Sequence, residues 1–240
     1  TGYFYIQFGR IATLSSVPMA RRKSLAFLDV GQGDCFVADT KSGAIIFDGG
    51  SSSEDQVGRY RILPYMKYLG YQKIQIAVIS HMDIDHYSGI KELLEMGKIK
   101  YLGLPEIPKD ETMKKIIGIA KKRGTTIFYL SRGRQITTKD GSLKVLHPQK
   151  NSQMEKNAAS LVMQGKILGY RVLLTGDVEK EGEEELLLEE LERADILKAA
   201  HHGSKNSTSN EFLQKVQPKQ TVISCGKQNR YGHPHLETIH

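Results

Sequence analysis

The chain has 240 residues, of which 39% are hydrophobic and 25% charged, and its formal net charge is +7. That composition suits a globular fold of one large domain or two small ones, and no apolar stretch is long enough to span a bilayer. The positive balance favours an anionic partner such as nucleic acid or a membrane surface, while Cys35 and Cys225 are too few for a disulfide framework.

Residues 1–24 lack clean periodicity and read as a tail or linker from an upstream region, with the folded domain expected over 25–240. An opening Thr1 with no initiator Met and no cleavage pattern suggests a piece excised from a longer protein. Strands are predicted at 25–30, 35–39 and 44–48, joined by turns at Gly31-Gln32-Gly33-Asp34 and Lys41-Ser42-Gly43. Hairpins surround Gly31-Gln32-Gly33 and no helix follows it, so it is not a dinucleotide fingerprint. A helix interrupted by Pro64 is expected over 57–69. The apolar run 76–79 fits a strand buried on both faces, followed by a polar loop and helical spacing from Ile90. Further strands are predicted at 101–104, 126–130, 143–146, 161–163, 171–175, 196–199 and 221–224. Helices are expected near 110–122, 181–192 and 211–216, the second with Leu186, Leu187, Leu188 and Leu191 facing inward. Hairpins, then βα units, then both again predict two packed sheets with helices outside.

The chemistry gathers at strand ends. His81, Asp83, Asp85 and His86 fall within six positions after the 76–79 strand. Two imidazoles and two carboxylates suit zinc, manganese or iron, and a tight loop brings them to one small volume. Four adjacent ligands crowd a single ion. Pairing His81 with Asp83 and Asp85 with His86 on two ions relieves the crowding and suits phosphoester hydrolysis. Asp177 follows the strand 171–175 and is placed to bridge two metals, one oxygen on each; the competing role is a helix cap. His201 and His202 follow another strand. Side-chain alternation points them apart, so one ligates metal, His201 slightly favoured, while the other orients a ligand or contacts substrate. In the loop 226–235, Lys227 and Arg230 are candidate phosphate contacts and His233 a candidate acid or phosphate donor. Asn157 and Ser160 are candidates for amide or hydroxyl contact near the first metal, against a plain turn role. His147 is read as closing a strand.

Taken together, these motifs resemble the metallo-β-lactamase superfamily, whose His-x-His-x-Asp-His stands here as His81-x-Asp83-x-Asp85-His86. The segments 28–34, 47–50, 174–177, 201–204 and 231–235 are similar to the C-terminal domain of the ComEC family of competence DNA-uptake channel proteins. The resemblance implies an α/β fold, a four-layer αββα sandwich of two mixed sheets with the site at the sheet edges. It implies metal binding by His81, Asp83, Asp85, His86, Asp177 and one of His201 and His202. It also implies a place on the extracytoplasmic face of the membrane, joined to the channel domain of the same parent protein, where the domain degrades the DNA strand that is not imported. One departure is a missing further histidine before the bridging Asp, where residues 157–160 stand, which implies a weaker first site.

The expected function is a phosphodiesterase acting on single-stranded DNA with two divalent metal ions, manganese or zinc, with Asp85 and His233 in the catalytic set. The 7 Phe, 11 Tyr and absent Trp argue against an extensive base-stacking platform. Two rivals are a hydrolase of another phosphoester, such as a phosphorylcholine esterase, and a catalytically idle module that guides DNA.

Overall fold

A computed structural model describes residues 23–155 and 157–239. Most of the expected tail over 1–24 therefore lies outside the described residues. The chain forms two six-stranded sheets in consecutive halves. In the first, β1 (Leu25–Phe27), β2 (Phe36–Thr40) and β3 (Gly43–Phe47) pair antiparallel. β3, β4 (Ile74–Val78), β5 (Ile99–Pro105) and β6 (Thr126–Leu130) then run parallel. In the second, β7 (Gln135–Thr138), β8 (Gly141–His147), β9 (Val162–Ile167) and β10 (Tyr170–Leu174) form antiparallel pairs. β11 (Ile196–Lys198) and β12 (Gln220–Val222) extend it in parallel beyond β10.

Parallel neighbours need crossovers, and helices provide them. A π-helical segment, Gly58–Ile62, leads into α1 (Leu63–Tyr68), and α2 (Ile84–Glu95) and α3 (Glu111–Lys122) follow in the first half. The second half carries α4 (Lys180–Leu187), α5 (Asn210–Val216) and the short α6 (Leu236–Ile239). Among the described residues no helix is long and apolar enough to cross a membrane.

Alternation along the strands builds the layers. Ile45 and Phe47 of β3 join Val145, Met163 and Val172 between the sheets, whereas Ala44 and Ile46 pack outward with Ile90 and Leu93 of α2. Leu173 and Leu197 face out on the second sheet and meet Leu186, Phe212 and Val216 of α4 and α5. The result is the expected αββα sandwich.

Local differences have physical causes. β7 was not expected; its signal is the Asp140-Gly141 turn, which closes a tight hairpin onto β8. Pro64 falls in the first turn of α1, directly after the π-helical segment, so it starts this helix rather than interrupting it. α2 begins at Ile84, six residues earlier than the apolar spacing indicates, because Asp83 is extended at its N-cap. Asp85 and His86 therefore lie in a helical first turn and not in a loop. α4 stops at Leu187, and Leu188 is 87% exposed, against the inward face expected for it.

His147 ends β8 fully buried. Its Nε2–H donates to the Ala158 carbonyl at 2.7 Å, and its Nδ1 lies 3.5 Å from Glu185 Oε2. Burial holds its pKa below the ordinary 6.5, although the Ala158 bond and Glu185 pull the other way. The unfolded chain therefore takes up a proton that the folded chain resists. The stability linked to neutral His147 is complete above about pH 6.5 and declines as pH falls below that value. Urea denaturation of a His147→Gln variant is expected to give a flatter stability profile than wild type between about pH 7 and 5.

Candidate metal centre

Parallel strands end at one edge of each sheet, and the polar residues beyond those ends meet there. Past β3, Asp48 is buried in a left-handed conformation, φ 56°. Its Oδ1 accepts from the Ser80 N–H at 2.7 Å and its Oδ2 lies 3.0 Å from His86 Nδ1. Past β4, Ser80 Oγ lies 3.0 Å from His81 Nδ1.

Two glycines let the neighbouring loops close on the start of α2. A Cβ on Gly33 would lie 2.2 Å from the Gly50 carbonyl oxygen, and one on Gly50 would lie 2.5 Å from that of Ile84. Only glycine fits such contacts. The closeness permits Asp34 N–H to bond the Asp85 carbonyl at 3.1 Å and Gly49 N–H that of His86 at 2.9 Å. The backbone of Asp85 and His86 is thus fixed from outside its own helix.

In the second sheet, Asp177 follows β10, and its N–H donates to Ser160 Oγ at 3.3 Å. Its Oδ2 lies 3.1 Å from His86 Nε2, 3.3 Å from His202 Nε2 and 4.0 Å from His201 Nε2. Its Oδ1 lies 3.4 Å from the buried Lys198 Nζ, which also bonds the Gly176 carbonyl at 2.9 Å and pairs with Asp34. Past β11 the chain makes a single turn in which His201 and His202 are both left-handed, φ 46° and 52°. Such backbone is strained for residues with a Cβ. It drives His202 inward, where its Nδ1–H donates to the Ser224 carbonyl at 2.7 Å and its Nε2 lies 3.4 Å from Asp85 Oδ2.

A common pattern emerges. His81, His86 and His202 are each engaged at Nδ1, by Ser80, Asp48 and Ser224 respectively. Each Nε2 is buried with no hydrogen-bond partner among the described residues. A bond donated from Nδ1 leaves the lone pair on Nε2, the form in which imidazole binds metal. One donor atom each from Asp34, His86, Asp177 and His202 falls within 4.8 Å of the others. Asp34 approaches the Nδ1 edges of His86 and His202, at 3.7 Å each, and is paired to Lys198. It is therefore placed to orient these rings from behind, while Asp85 and Asp177 face the Nε2 edges. Asp83 Oδ2 stands 3.7 Å from His81 Nε2. Buried nitrogens and carboxylates converging without hydrogen bonds fit a divalent cation.

Charge balance in the metal-free protein tells the same story. Burial penalises the Asp177 carboxylate, but His202, His86 and Lys198 outweigh it and hold its pKa well below the usual range. Burial likewise opposes the His202 cation, yet Asp177 and Asp34 raise its pKa to about 10. His86 is raised for similar reasons, by Asp177 and Asp48 against burial. His233 goes the other way, down to about 4, through burial and the nearby His201, His202 and His235.

A cavity of about 340 Å³ opens onto the cluster, lined by Asp83, Asp85, Asp177, His201, His202 and His233, with Asn157 and Arg230 at its margin. His201 sits toward the rim, Nδ1 2.9 Å from Glu179 Oε1, so the inner position belongs to His202. The alternation argument assumed extended backbone, and the left-handed turn removes that premise. Ser160 is buried against the Asp177 backbone, and Lys227 is exposed and does not line the cavity. Sequence reasoning did not single out Asp34, Asp48 or Lys198 as site residues. The acids carry the same signature as Asp177, standing beside glycine at a strand end or turn. Lys198 carries another, a lone charge inside the apolar run 196–200.

The metallo-beta-lactamase superfamily profile matches residues 28–227. The chain belongs to that superfamily. It is 37% identical over 231 residues to ComE operon protein 3 of Bacillus subtilis, covering 88% of this chain and 29% of that protein. It is 30% identical over 216 residues to Competence protein ComA of Neisseria gonorrhoeae, covering 86% of this chain and 27% of that one. The chain thus spans less than a third of these relatives. The crystal structure of YhfI from Bacillus subtilis, a metallo-beta-lactamase fold protein, matches with a TM-score of 0.58 at 13% identity, covering 90% of this chain and 92% of that one.

Partners that hold a ligating histidine from behind typically matter 10–100-fold in metal affinity, by rough precedent. Asp48→Ala is accordingly expected to weaken divalent-metal binding by about 10–100-fold in titration calorimetry with manganese and with zinc. Unchanged affinity in a folded variant would remove Asp48 from the centre.

Proposed function

We propose that the chain is a metal-dependent phosphodiesterase that cuts single-stranded DNA during DNA uptake. The observation that carries this reading is the convergence of the unpartnered Nε2 atoms of His86 and His202 on Asp177 Oδ2. Asp85, His86 and His202 would hold one divalent ion and His81 and Asp83 another, with Asp177 shared between them. Manganese or zinc held there would supply Lewis acidity and a nucleophile at neutral pH.

The protein's own groups divide the remaining work. Asp48, Ser80 and Ser224 orient the imidazoles, and Lys198 keeps Oδ1 of Asp177 occupied so that Oδ2 faces the cluster. His233, neutral at pH 7 by its depressed pKa, suits donation of a hydrogen bond to a phosphoryl oxygen better than delivery of a proton. Arg230 offers a forked cation to the backbone at the cavity margin. Asn157 lines the same cavity as a polar contact.

The nucleic-acid substrate is supported by the net charge of +7 and by the similarity to Competence protein ComA, competence being DNA uptake. In the same reading the domain acts outside the cytoplasmic membrane, joined to a channel segment of its parent protein, and degrades the strand that is not imported. The short span of the relatives that it covers supports a larger parent.

The test is cleavage of an end-labelled single strand by the purified domain with manganese or zinc. Asp85→Ala and His86→Ala are each expected to bring cleavage down to the metal-free background, and unchanged activity in either excludes this mechanism. Preference for a choline phosphodiester over DNA would replace the substrate. Salt-sensitive DNA binding with no turnover in any metal would leave a guiding module.

A further inference from the structure

We propose that Tyr231 is a stacking platform for the nucleobase next to the scissile phosphodiester, an inference that rests on the nuclease reading above. Tyr231 and Ile84 are the two large apolar side chains lining the cavity over the metal cluster, and they stay 44% and 52% exposed. Large apolar groups kept in water at the mouth of a polar cavity call for an apolar partner. The cavity's other walls are imidazoles, amides, Ser52, Arg230 and acids, which with cations on the acids would suit a phosphodiester. A nucleotide unit carries both chemistries at once.

The ring is held, not loose. Asn229 Oδ1 accepts from the Tyr231 and His233 N–H groups at 3.1 and 3.0 Å, and its Nδ2 donates to the Gly226 and His233 carbonyls at 2.9 and 2.6 Å. The Gly226 N–H in turn bonds Gln32 Oε1 at 2.9 Å, and Ser224 Oγ bonds the Gly33 carbonyl at 2.6 Å. The loop is thereby pinned to the turn that clamps α2. The Tyr231 ring lies 24° from the plane of His233 at 5.6 Å between centroids. The tyrosine and the phosphate-facing imidazole thus stack in near-parallel planes, and Tyr231 stays 44% exposed for a base.

Arg230 decides between possible guests. Its guanidinium sits 4.9 Å from the Tyr231 centroid and donates to the Tyr231 hydroxyl at 2.8 Å. A quaternary ammonium such as choline would meet that fixed cation and be repelled, and a single ring is no aromatic cage. A neutral base is not repelled, and its flanking phosphate gains the remaining guanidinium donors.

The test measures binding by fluorescence anisotropy in calcium, which fills carboxylate sites, over times short against any cutting. It compares a dye-labelled oligothymidylate with an abasic deoxyribose-phosphate strand of equal length and charge. Wild type is expected to favour the base-bearing strand by roughly 5- to 100-fold. Tyr231→Phe keeps that preference, and Tyr231→Ala abolishes it, binding the two strands equally. Equal binding of the two strands by wild type, binding of neither, or a preference that survives in Tyr231→Ala each overturns the platform. Cleavage of the same oligothymidylate in manganese is read separately. If the preference is present but the strand is not cut, the nuclease reading fails and the base-binding surface stands.

Discussion

Three buried imidazoles are engaged by their Nδ1 edges, and their Nε2 edges turn to carboxylates, those of His86 and His202 to Asp177 and that of His81 to Asp83. That constraint organises the functional edge of the molecule. Asp48 and Ser80 hold their rings within the first sheet and Ser224 holds His202 within the second, so bringing His86 and His202 together on Asp177 requires that the two sheets be packed in register. The sandwich interior of Ile45, Phe47, Val145, Met163 and Val172 is what sets that register. Packing between the sheets and orientation of the donors are therefore one problem.

Burying so much charge has consequences for the rest of the site. Asp34, Asp48 and Asp177 are almost fully buried, and an isolated carboxylate there would neutralise itself by taking a proton. Lys198 supplies one fixed positive charge to Asp34 and Asp177. The same acids raise the pKa of His86 and His202 against the opposing effect of burial. A divalent cation bound among these groups would compete with protons for the imidazoles, so binding and proton release would be coupled. Lys198 would balance part of the carboxylate charge with or without a cation.

Much of the sandwich was legible because period-two and apolar-run patterns report which strands are half-buried and which are covered on both faces. The hairpin around Leu168-Gly169 and the strand β11 directly after Asp195 followed from such patterns, whereas β7, with only Ile136 buried, carried too little apolar signal. The start of α2 was missed because Asp85 and His86 are polar residues on a buried helical turn. Their cost is met by contacts from other loops, which no local window contains. At the site, Asp177 could be read from one strand and the acid after it. Choosing between His201 and His202 required the backbone itself, since two consecutive left-handed residues break the alternation on which that choice rested. Asp48 and Lys198 act on groups 38 and 21 positions away, distances over which sequence pattern carries no geometry.

In the proposed two-ion reading, Asp83 bears on which metal the site would prefer. The donors on the His81 side would be one imidazole, Asp83 and a shared Asp177. Ser160, the nearby hydroxyl, accepts from the Asp177 N–H and is drawn into supporting the backbone. The set is therefore richer in oxygen than a three-histidine site. Oxygen donors favour harder cations, and imidazole favours zinc. The other half, with His86 and His202 beside Asp85 and Asp177, has two nitrogens. Two halves of unequal softness need not bind with equal strength. The softer half would also be the more heavily braced, by Asp34, Asp48 and Ser224 against Ser80 alone, and bracing raises affinity by removing the cost of ordering the ligands. In that reading the more heavily braced half would fill first, and the oxygen-rich half would favour manganese over zinc.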